Sequence, residues 1–392
     1  MITVIVGDTH IGQSGGMGHP DGFGGNTRVN DYEKSFNFVI DHAIDIRADI
    51  FIQVGDLFEN RNPATEHIQI ADRAIKRLSD AGIFTIVLMG NHDYRRTGDL
   101  FTSALATMQA NSYQNVRILL EPEVINFSNK KNEQQSMLLI PFRDKRMYAA
   151  QTTKESTSLF NEHISNLVDT VNTSVPSIAV GHNFYFDGNY FDFGGHEVLA
   201  DPDSFSRMDA VVMGHYHQFK LVRKKNPIAY YTGSLERTNF GDMNVDKHFL
   251  IFDSASKSFE SVKIPVRDLL DIEFDLSNST AFTYLQDYGK QLEKLSLSEK
   301  ICRAKIKIKD GMQGLFSRSE IEKTLYSNGA FHISKILWDI EQVKLQKDIG
   351  ILSNKTDFEI FKAFAETQGL DNTFMLKLLD EAKKIMGTNA SN

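Results

Sequence analysis

The first 265 residues repeat one pattern: a short apolar run, a polar or glycine-rich stretch, then a longer segment with apolar residues at helical spacing. "TVIVG" precedes Asp8, "ADIFIQVG" precedes Asp56 and "FTIVLMG" precedes Asn91; further on, "SIAVG" precedes His182 and "AVVMG" precedes His215. Each run is too short for a helix and rich in valine and isoleucine, which predicts buried strands. Between them, "DYEKSFNFVIDHAIDIR" and "TEHIQIADRAIKRLSDAG" carry helical periodicity, the second closing on Gly82 as a C-cap. "HFLIFD" and "KSFESVKIP" lie close enough in the chain to pair antiparallel. A mixed sheet flanked by helices is the simplest packing for such a series.

Beyond about residue 266 the pattern changes. "LLDIEFDL", "KICRAKIKIKD" and "FHISKILWDIE" predict three strands separated by helical "STAFTYLQDYGKQLEKL" and "SRSEIEKTLYS", hence a small separate α+β domain. In the middle strand Arg303, Lys305, Lys307 and Lys309 alternate with Ala304, Ile306 and Ile308, giving one basic and one apolar face. The basic face is either an ordinary solvated surface or a contact for a DNA backbone, whose phosphates regularly spaced cations would neutralise. A linker from 342 leads to two amphipathic helices, with Phe358, Phe361 and Phe364 on one face of the first and Phe374, Leu378, Leu379 and Ile385 on one face of the second. Such a pair either packs on its own domain or docks a partner helix.

Composition narrows the picture. A chain of 392 residues predicts two or three domains. The net charge of -8 argues against coating nucleic acid through overall charge and leaves room for a local basic groove. Cys302 is the single cysteine, so neither an intrachain disulfide nor a cysteine-rich zinc site is expected, and a reducing cytoplasm fits. "MITVIVGDTH" has no basic segment before its strand, and no stretch approaches the roughly 18 apolar residues of a membrane span. Secretion and membrane insertion are not expected.

The chemistry gathers at the ends of the five runs: Asp8 and His10 in "GDTHIG", Asp56 in "GDLF", Asn91, His92 and Asp93 in "GNHD", His182 in "GHN", and His215 and His217 in "GHYH". Carboxylate and amide oxygens mixed with imidazoles suit Mn, Fe or Zn better than Ca. If "GHYH" continues its strand, His215 and His217, two positions apart, project from one face at the carboxyl end. Two metals roughly 3.5–4 Å apart activate a water and stabilise both ends of an in-line displacement, so phosphoester hydrolysis is the reaction such a site serves best.

This ordered series resembles the calcineurin-like metallophosphoesterase superfamily over the first two-thirds of the chain. The segment "YYTGSLERTNFGD", the small domain and the terminal helices resemble, more narrowly, SbcD-type nuclease subunits of DNA double-strand break repair. The resemblance implies an α/β (α+β) fold: a four-layer metallophosphoesterase β-sandwich flanked by helices over 1–265, a DNA-guiding cap over 266–341, and a linker with C-terminal helices over 342–392. It implies two divalent metal ions, Mn first, with Mg, Fe or Zn as alternatives. Asp8, His10, Asp56 and His217 would hold one; Asp56, Asn91, His182 and His215 would hold the other, with Asp56 bridging. His92 would protonate the leaving alkoxide or orient the phosphate, and Asp93 would fix its ring.

The resemblance further implies a homodimer that works with an SbcC-like coiled-coil ATPase on DNA ends, by exonuclease and endonuclease cleavage in repair, recombination or replication. Helices near 64–80 and 97–109 would form the dimer contact, and the last two helices would grip the ATPase. Basic clusters flanking the metal motifs add candidate DNA contacts: Arg61, Arg95 with Arg96, "RDKR" at 143–146, "KLVRKK" at 220–225 and Arg237, beside Lys305, Lys307 and Lys309. The alternative is another dinuclear metallophosphoesterase, a phosphoprotein phosphatase or a nucleotide phosphodiesterase. The insertion "GQSGGMGHPDGFGGNTRVND" is longer than the family pattern and is either a mobile lid or an ordered substrate loop; His19 within it is expected to be solvated.

Overall fold

The five valine- and isoleucine-rich runs form strands buried on both faces, and they divide between two mixed sheets. A computed structural model describes residues 1–22, 25–97, 100–109, 113–148, 152–182, 198–280, 282–312, 314, 317–341, 356–367 and 372–387. In chain order the strands begin with β1 (Ile2–Val6), β2 (Ile50–Gln53) and β3 (Phe84–Leu88), then a hairpin of β4 (Tyr94–Thr97) and β5 (Leu100–Ser103), and β6 (Val116–Leu119). Next come β7 (Glu123–Ser128), β8 (Gln134–Ile140), β9 (Ser177–Gly181), β10 (Ala210–Met213), β11 (Lys220–Lys224), β12 (Ile228–Tyr231), β13 (His248–Asp253) and β14 (Ser258–Lys263). The first sheet has the order β14-β13-β1-β2-β3-β6, the second β11-β12-β10-β9-β8-β7. In each, the central strands are parallel, and β13 with β14 pairs antiparallel.

Successive residues of a strand face opposite sides, so an unbroken apolar run supplies two cores at once. Ile5, Ile52 and Ile86 of the first sheet meet Leu139, Val180 and Val212 of the second. Their neighbours Val4, Phe51 and Val87 face outward onto α1 (Thr27–Asp45) and α2 (Thr65–Asp80), through Phe36 and Ile75. On the other side Ala179 and Val211 pack on Phe160 and Ile164; with α3 (Leu105–Gln109) preceding it, this helix is α4 (Thr153–Val168). Four layers result: helix, sheet, sheet, helix. Each buried valine or isoleucine contributes about 1.5–3 kcal/mol, so the layering follows from the pattern.

The 266–341 segment forms β15 (Leu269–Asp275), α5 (Tyr284–Leu292), β16 (Ile301–Lys309), α6 (Arg318–Ser327) and β17 (His332–Glu341), with β16 central and all three strands parallel. Parallel neighbours need crossovers, which the two helices provide. Ile272, Phe274, Ile306, Ile308 and Leu325 form a core of its own. Arg267 clamps this unit to α1: its guanidinium pairs with Asp31 and Glu299 at 2.8 Å each and lies 3.4 Å from the Phe331 ring centroid. Met17, from the glycine-rich insertion, is buried with Leu269 and Ile301, and His332 Nε2–H donates to the Gly16 carbonyl at 3.0 Å.

Two expectations change. His19 is half-buried rather than solvated; its ring packs on those of Phe331 and His332, so the described part of the insertion props the 266–341 unit. The expected helix near 97–109 begins only at Leu105, because the β-branched and aromatic residues before it form the β4–β5 hairpin. The linker expected from 342 lies, but for residue 356, outside the described residues; α7 (Asp357–Thr367) and α8 (Asn372–Gly387) follow it. Among the described residues no helix is long and apolar enough to cross a membrane.

Arg28, fully buried in the first turn of α1, pairs with Asp31 at 3.0 Å and Glu236 at 2.9 Å and donates to the Arg237 carbonyl. Removing one partner of a buried pair strands the other charges. Replacement of Arg28 by Met is expected to cost about 3–5 kcal/mol in denaturant unfolding, whereas an exposed pair such as Lys76–Asp80 is worth under about 1 kcal/mol.

Candidate metal centre

The carboxyl ends of β1, β2 and β3 in one sheet and of β9 and β10 in the other converge on one point. The glycines that punctuate the runs permit this. A Cβ on Gly90 would lie 2.0 Å from the Asp56 nitrogen, and one on Gly214 would lie 2.7 Å from His182 Nδ1 and 2.8 Å from Asp8 Oδ1. Three of the converging residues, His10, Asp56 and His215, have φ of 47°, 53° and 72°. Such left-handed geometry costs about 1–3 kcal/mol per non-glycine residue and persists only where its surroundings enforce it. Here each residue is fastened through its backbone: the Asp56 carbonyl accepts from Thr9 and His10, and His215 N–H donates to Asp8 Oδ1 at 2.9 Å. The expectation of an extended "GHYH" is thereby corrected. β10 ends at Met213, and His215 and His217 reach the centre through a turn rather than through strand alternation.

Two trios of donors result, Asp8 with His10 and His217, and Asp56 with His182 and His215, the donor atoms of each within 4.8 Å of one another. His10 Nε2 stands 3.1 Å from His217 Nε2 and 3.9 Å from Asp56 Oδ2. Asp56 Oδ2 is 3.3 Å from His182 Nε2, so this carboxylate lies between the trios. Asn91 Oδ1 joins the second, 3.0 Å from His182 Nε2 and 2.9 Å from His215 Nδ1. The donors fit divalent metals. Asp8 Oδ2 is buried without any hydrogen-bond donor, an arrangement that a cation beside it makes favourable.

Around the trios the chain holds its imidazoles by their outer nitrogens. His182 Nδ1–H donates to the Val54 carbonyl at 2.9 Å, and His10 Nδ1 meets Glu59 Oε2 at 2.9 Å. His92, the most exposed of the group, has Nδ1 on the Glu59 carbonyl at 2.8 Å and its backbone N–H on Asp56 Oδ1. Asp93 does not orient the His92 ring as expected. Its carboxylate accepts from the N–H groups of Leu57, Phe58 and Gly90, bracing the loops after β2 and β3 against each other. Glu59, three residues after Asp56 in "GDLFEN", was missed, because only its spatial neighbours give it a role.

Electrostatics follow from this crowding. Burial raises Asp56 but is outweighed by His182, His10 and His92, which hold its carboxyl well below the usual range. Burial depresses His182, yet the Asp56 and Asp8 carboxylates outweigh it and lift the imidazole to about 9. Burial pushes His217 down to about 4. Burial and the Asp56 charge push Asp93 up to about 6 despite its three backbone donors.

A cavity of about 530 Å³ opens over the trios, walled by His92, Arg61, Tyr94, Phe142 and Arg146. Arg61 also lines a second cavity beside Glu59. Of the other candidate cations, Arg95 donates to Asn62 at 2.9 Å and Arg96 lies over the Phe101 ring. Arg237 is buried instead, bonded to the carbonyls of Val245 and Arg267 and to Asp268. On β16, Lys305 pairs with Asp339 at 2.7 Å and Lys307 with Asp275 at 3.6 Å, while Lys309 is exposed.

Two sheets whose strand ends present paired clusters of aspartate, asparagine and histidine define a dinuclear phosphoesterase architecture. The chain belongs to the family described as Calcineurin-like phosphoesterase, which matches residues 1–219. It is 24% identical over 335 residues to a DNA double-strand break repair protein Mre11 of Methanosarcina acetivorans, covering 84% of this chain and 49% of that one. The Mre11 of Methanocaldococcus jannaschii is 23% identical over 396 residues, covering 96% and 93%. Exonuclease subunit 1 of Enterobacteria phage T4 is 25% identical over 255 residues, covering 62% and 67%. The chain thus spans about half the length of the Methanosarcina relative and most of the Methanocaldococcus one.

With His182 raised to about 9, the metal-free centre binds a proton that an entering cation must displace. Mn²⁺ affinity is expected to rise between pH 7 and 9, by up to about tenfold per unit for one displaced proton, and then to level off. In the metal-free protein the same proton stabilises the fold below the unfolded value near 6.5, and that contribution fades as pH rises through 9. Equilibrium Mn²⁺ titration across this range checks the first point; an affinity flat from pH 7 to 9 would mean that His182 is already neutral.

Proposed function

We propose that the chain is a metal-dependent DNA nuclease, with double-strand exonuclease and single-strand endonuclease activity, acting on DNA ends as the nuclease subunit of an SbcCD-like complex. The observation that carries the reading is the pair of donor trios joined at Asp56, with His92 beside them on the wall of an open cavity. Relatives named for DNA double-strand break repair and for an exonuclease support DNA as the substrate. Two divalent ions, Mn first, would supply the activated water and the charge that steadies the phosphoryl oxygens.

The chain's own residues do the rest. A carbonyl can only accept, so the Glu59 carbonyl keeps a proton on His92 Nδ1, and it is the imidazolium, with a second proton on Nε2, that would orient the phosphate or protonate the leaving oxygen. Asp8, His10, Asp56 and His217 would hold one ion, and Asp56, Asn91, His182 and His215 the other. Arg61 and Arg146, on the cavity wall, would meet the phosphates flanking the scissile one, with Arg95 and Arg96 on the neighbouring β4. Lys305 and Lys307 contribute less, because each already faces an aspartate of a flanking strand. The cap would steer the duplex. Phe364, Phe374, Leu376 and Ile385, exposed on α7 and α8, would meet the coiled coil of an SbcC-like ATPase, and α2 would contribute to a homodimer contact.

The 392-residue chain with Mn²⁺ is expected to release nucleotides from end-labelled linear duplex, and His92→Ala to lower that rate by about 10²–10⁴-fold while still binding Mn²⁺. Turnover of a 4-nitrophenyl phosphodiester with no cleavage of DNA, even with the ATPase supplied, would instead make the protein a phosphodiesterase of small substrates.

If phosphate contacts sit at the cavity wall, Arg61→Gln flattens the dependence of log affinity for DNA on log salt by about 0.9. The double change Lys305→Gln, Lys307→Gln is expected to flatten it by less than that single replacement. The reverse ranking, measured by fluorescence anisotropy, would move the DNA path onto the cap strand.

A further inference from the structure

Among the imidazoles of the centre, His217 is held differently. His182 rests its outer nitrogen on a carbonyl, which can only accept a hydrogen bond and so leaves no choice of tautomer there. His217 Nδ1 instead meets the hydroxyl of Thr238, at 3.2 Å. A hydroxyl can donate or accept, so by itself it fixes nothing.

The groups behind Thr238 remove the ambiguity. Its hydroxyl carries one proton, which goes to Asp242 Oδ2 at 3.0 Å, and its backbone N–H donates to the same oxygen. Lys247, with Nζ fully buried, donates to that carboxylate at 3.2 Å and to the His217 carbonyl and Ser234 Oγ at 2.9 Å each. An ammonium has three donors and no acceptor, so all three are spent and Asp242 is held as a carboxylate anion. Asn239 Nδ2 donates to the Thr238 oxygen at 3.1 Å, its amide fixed by the Gly241 N–H on Oδ1. The oxygen therefore has one lone pair left, and it must accept from His217 Nδ1–H.

We propose that Thr238, Asp242 and Lys247 form a positioning relay that locks His217 with its proton on Nδ1 and its Nε2 lone pair aimed at the metal centre. Nε2 lies 3.5 Å from the donorless Asp8 Oδ2 and 3.1 Å from His10 Nε2. Lys247 adds a second hold, since it fixes the His217 backbone while the threonine fixes the ring. This accounts for two features of "SLERTNFGDMNVDK" that the cleavage chemistry leaves idle: a lysine with no exposed surface and a buried aspartate outside the donor trios.

The inference rests on the metal reading of the centre and not on DNA as the substrate. Thr238→Val removes the hydroxyl at nearly constant volume, Thr238→Ala removes it without adding a methyl group, and Thr238→Ser keeps it. Two measurements on the full chain decide. In ¹⁵N-histidine spectra of metal-free protein, wild type and Thr238→Ser should show His217 protonated on Nδ1, whereas Val and Ala variants should show mixed tautomers. In titrations with Mn²⁺ alone, the Val and Ala variants should lose about 10–100-fold in affinity at one of two binding events and keep the other, with Thr238→Ser close to wild type. Variants that keep the Nδ1 proton and both affinities would overturn the relay. So would a serine variant as weak as valine, since the methyl group rather than the hydroxyl would then matter. A wild type that takes up no Mn²⁺ would sink the metal reading and this inference together.

Discussion

The centre depends on one residue being held from all sides. Asp56 sits in a left-handed conformation at the end of β2, its carbonyl accepting from Thr9 and His10 and its carboxylate from the backbone of His92. Those bonds draw the ends of β1 and β3 onto β2, and the carboxylate's other oxygen faces His182 from the second sheet. A buried carboxylate without partners would be costly, so its cost is met by these donors and by the imidazoles around it. The glycines at the strand ends are what permit backbone and ligand to approach so closely.

Around this point the polar interior is joined by long-range networks. Arg28, Asp31, Ser35 and Glu236 join the start of α1 to the segment after β12, and Lys247 with Asp242 and Thr238 joins that segment to His217. Arg237 and Arg267, read as sequence, are simply two more cations. In the fold each bonds across the seam between the sandwich and the cap, Arg237 to Asp268 and Arg267 to Asp31, Glu299 and Phe331. Buried networks of this kind specify one arrangement, because any slip leaves an unpaired charge.

Charge on the cap illustrates how position changes meaning. Alternation along β16 yields a basic face and an apolar face, and both exist. The register of β15 and β17, however, sets Asp271 beside Arg303, Asp275 beside Lys307 and Asp339 near Lys305, so much of the apparent positive stripe is a ladder of ion pairs. The cavity wall gathers Arg61 and Arg146 from segments that follow strands of different sheets, and there Arg146 too is paired, with Asp144.

Local pattern by itself determined the five strands that lead to the centre, the strands β13 to β17, the helices α1, α2, α5, α6, α7 and α8, and the donor types at the strand ends, because periodicity and the glycine–polar step are properties of neighbours in sequence. The ordered motifs "GDTH", "GD", "GNHD", "GH" and "GHYH" were enough to point to a phosphoesterase family. Only the tertiary structure decided which strand joins which sheet and that "GHYH" turns. It also decided that Asp93 braces loops while Glu59 holds the imidazoles, and that Thr238 governs His217. Each of these depends on partners tens to hundreds of residues away, Asp93 on Leu57, Asp8 on His215, His19 on His332. Such pairings are set by which faces the buried strands bring together, and no local period records that choice.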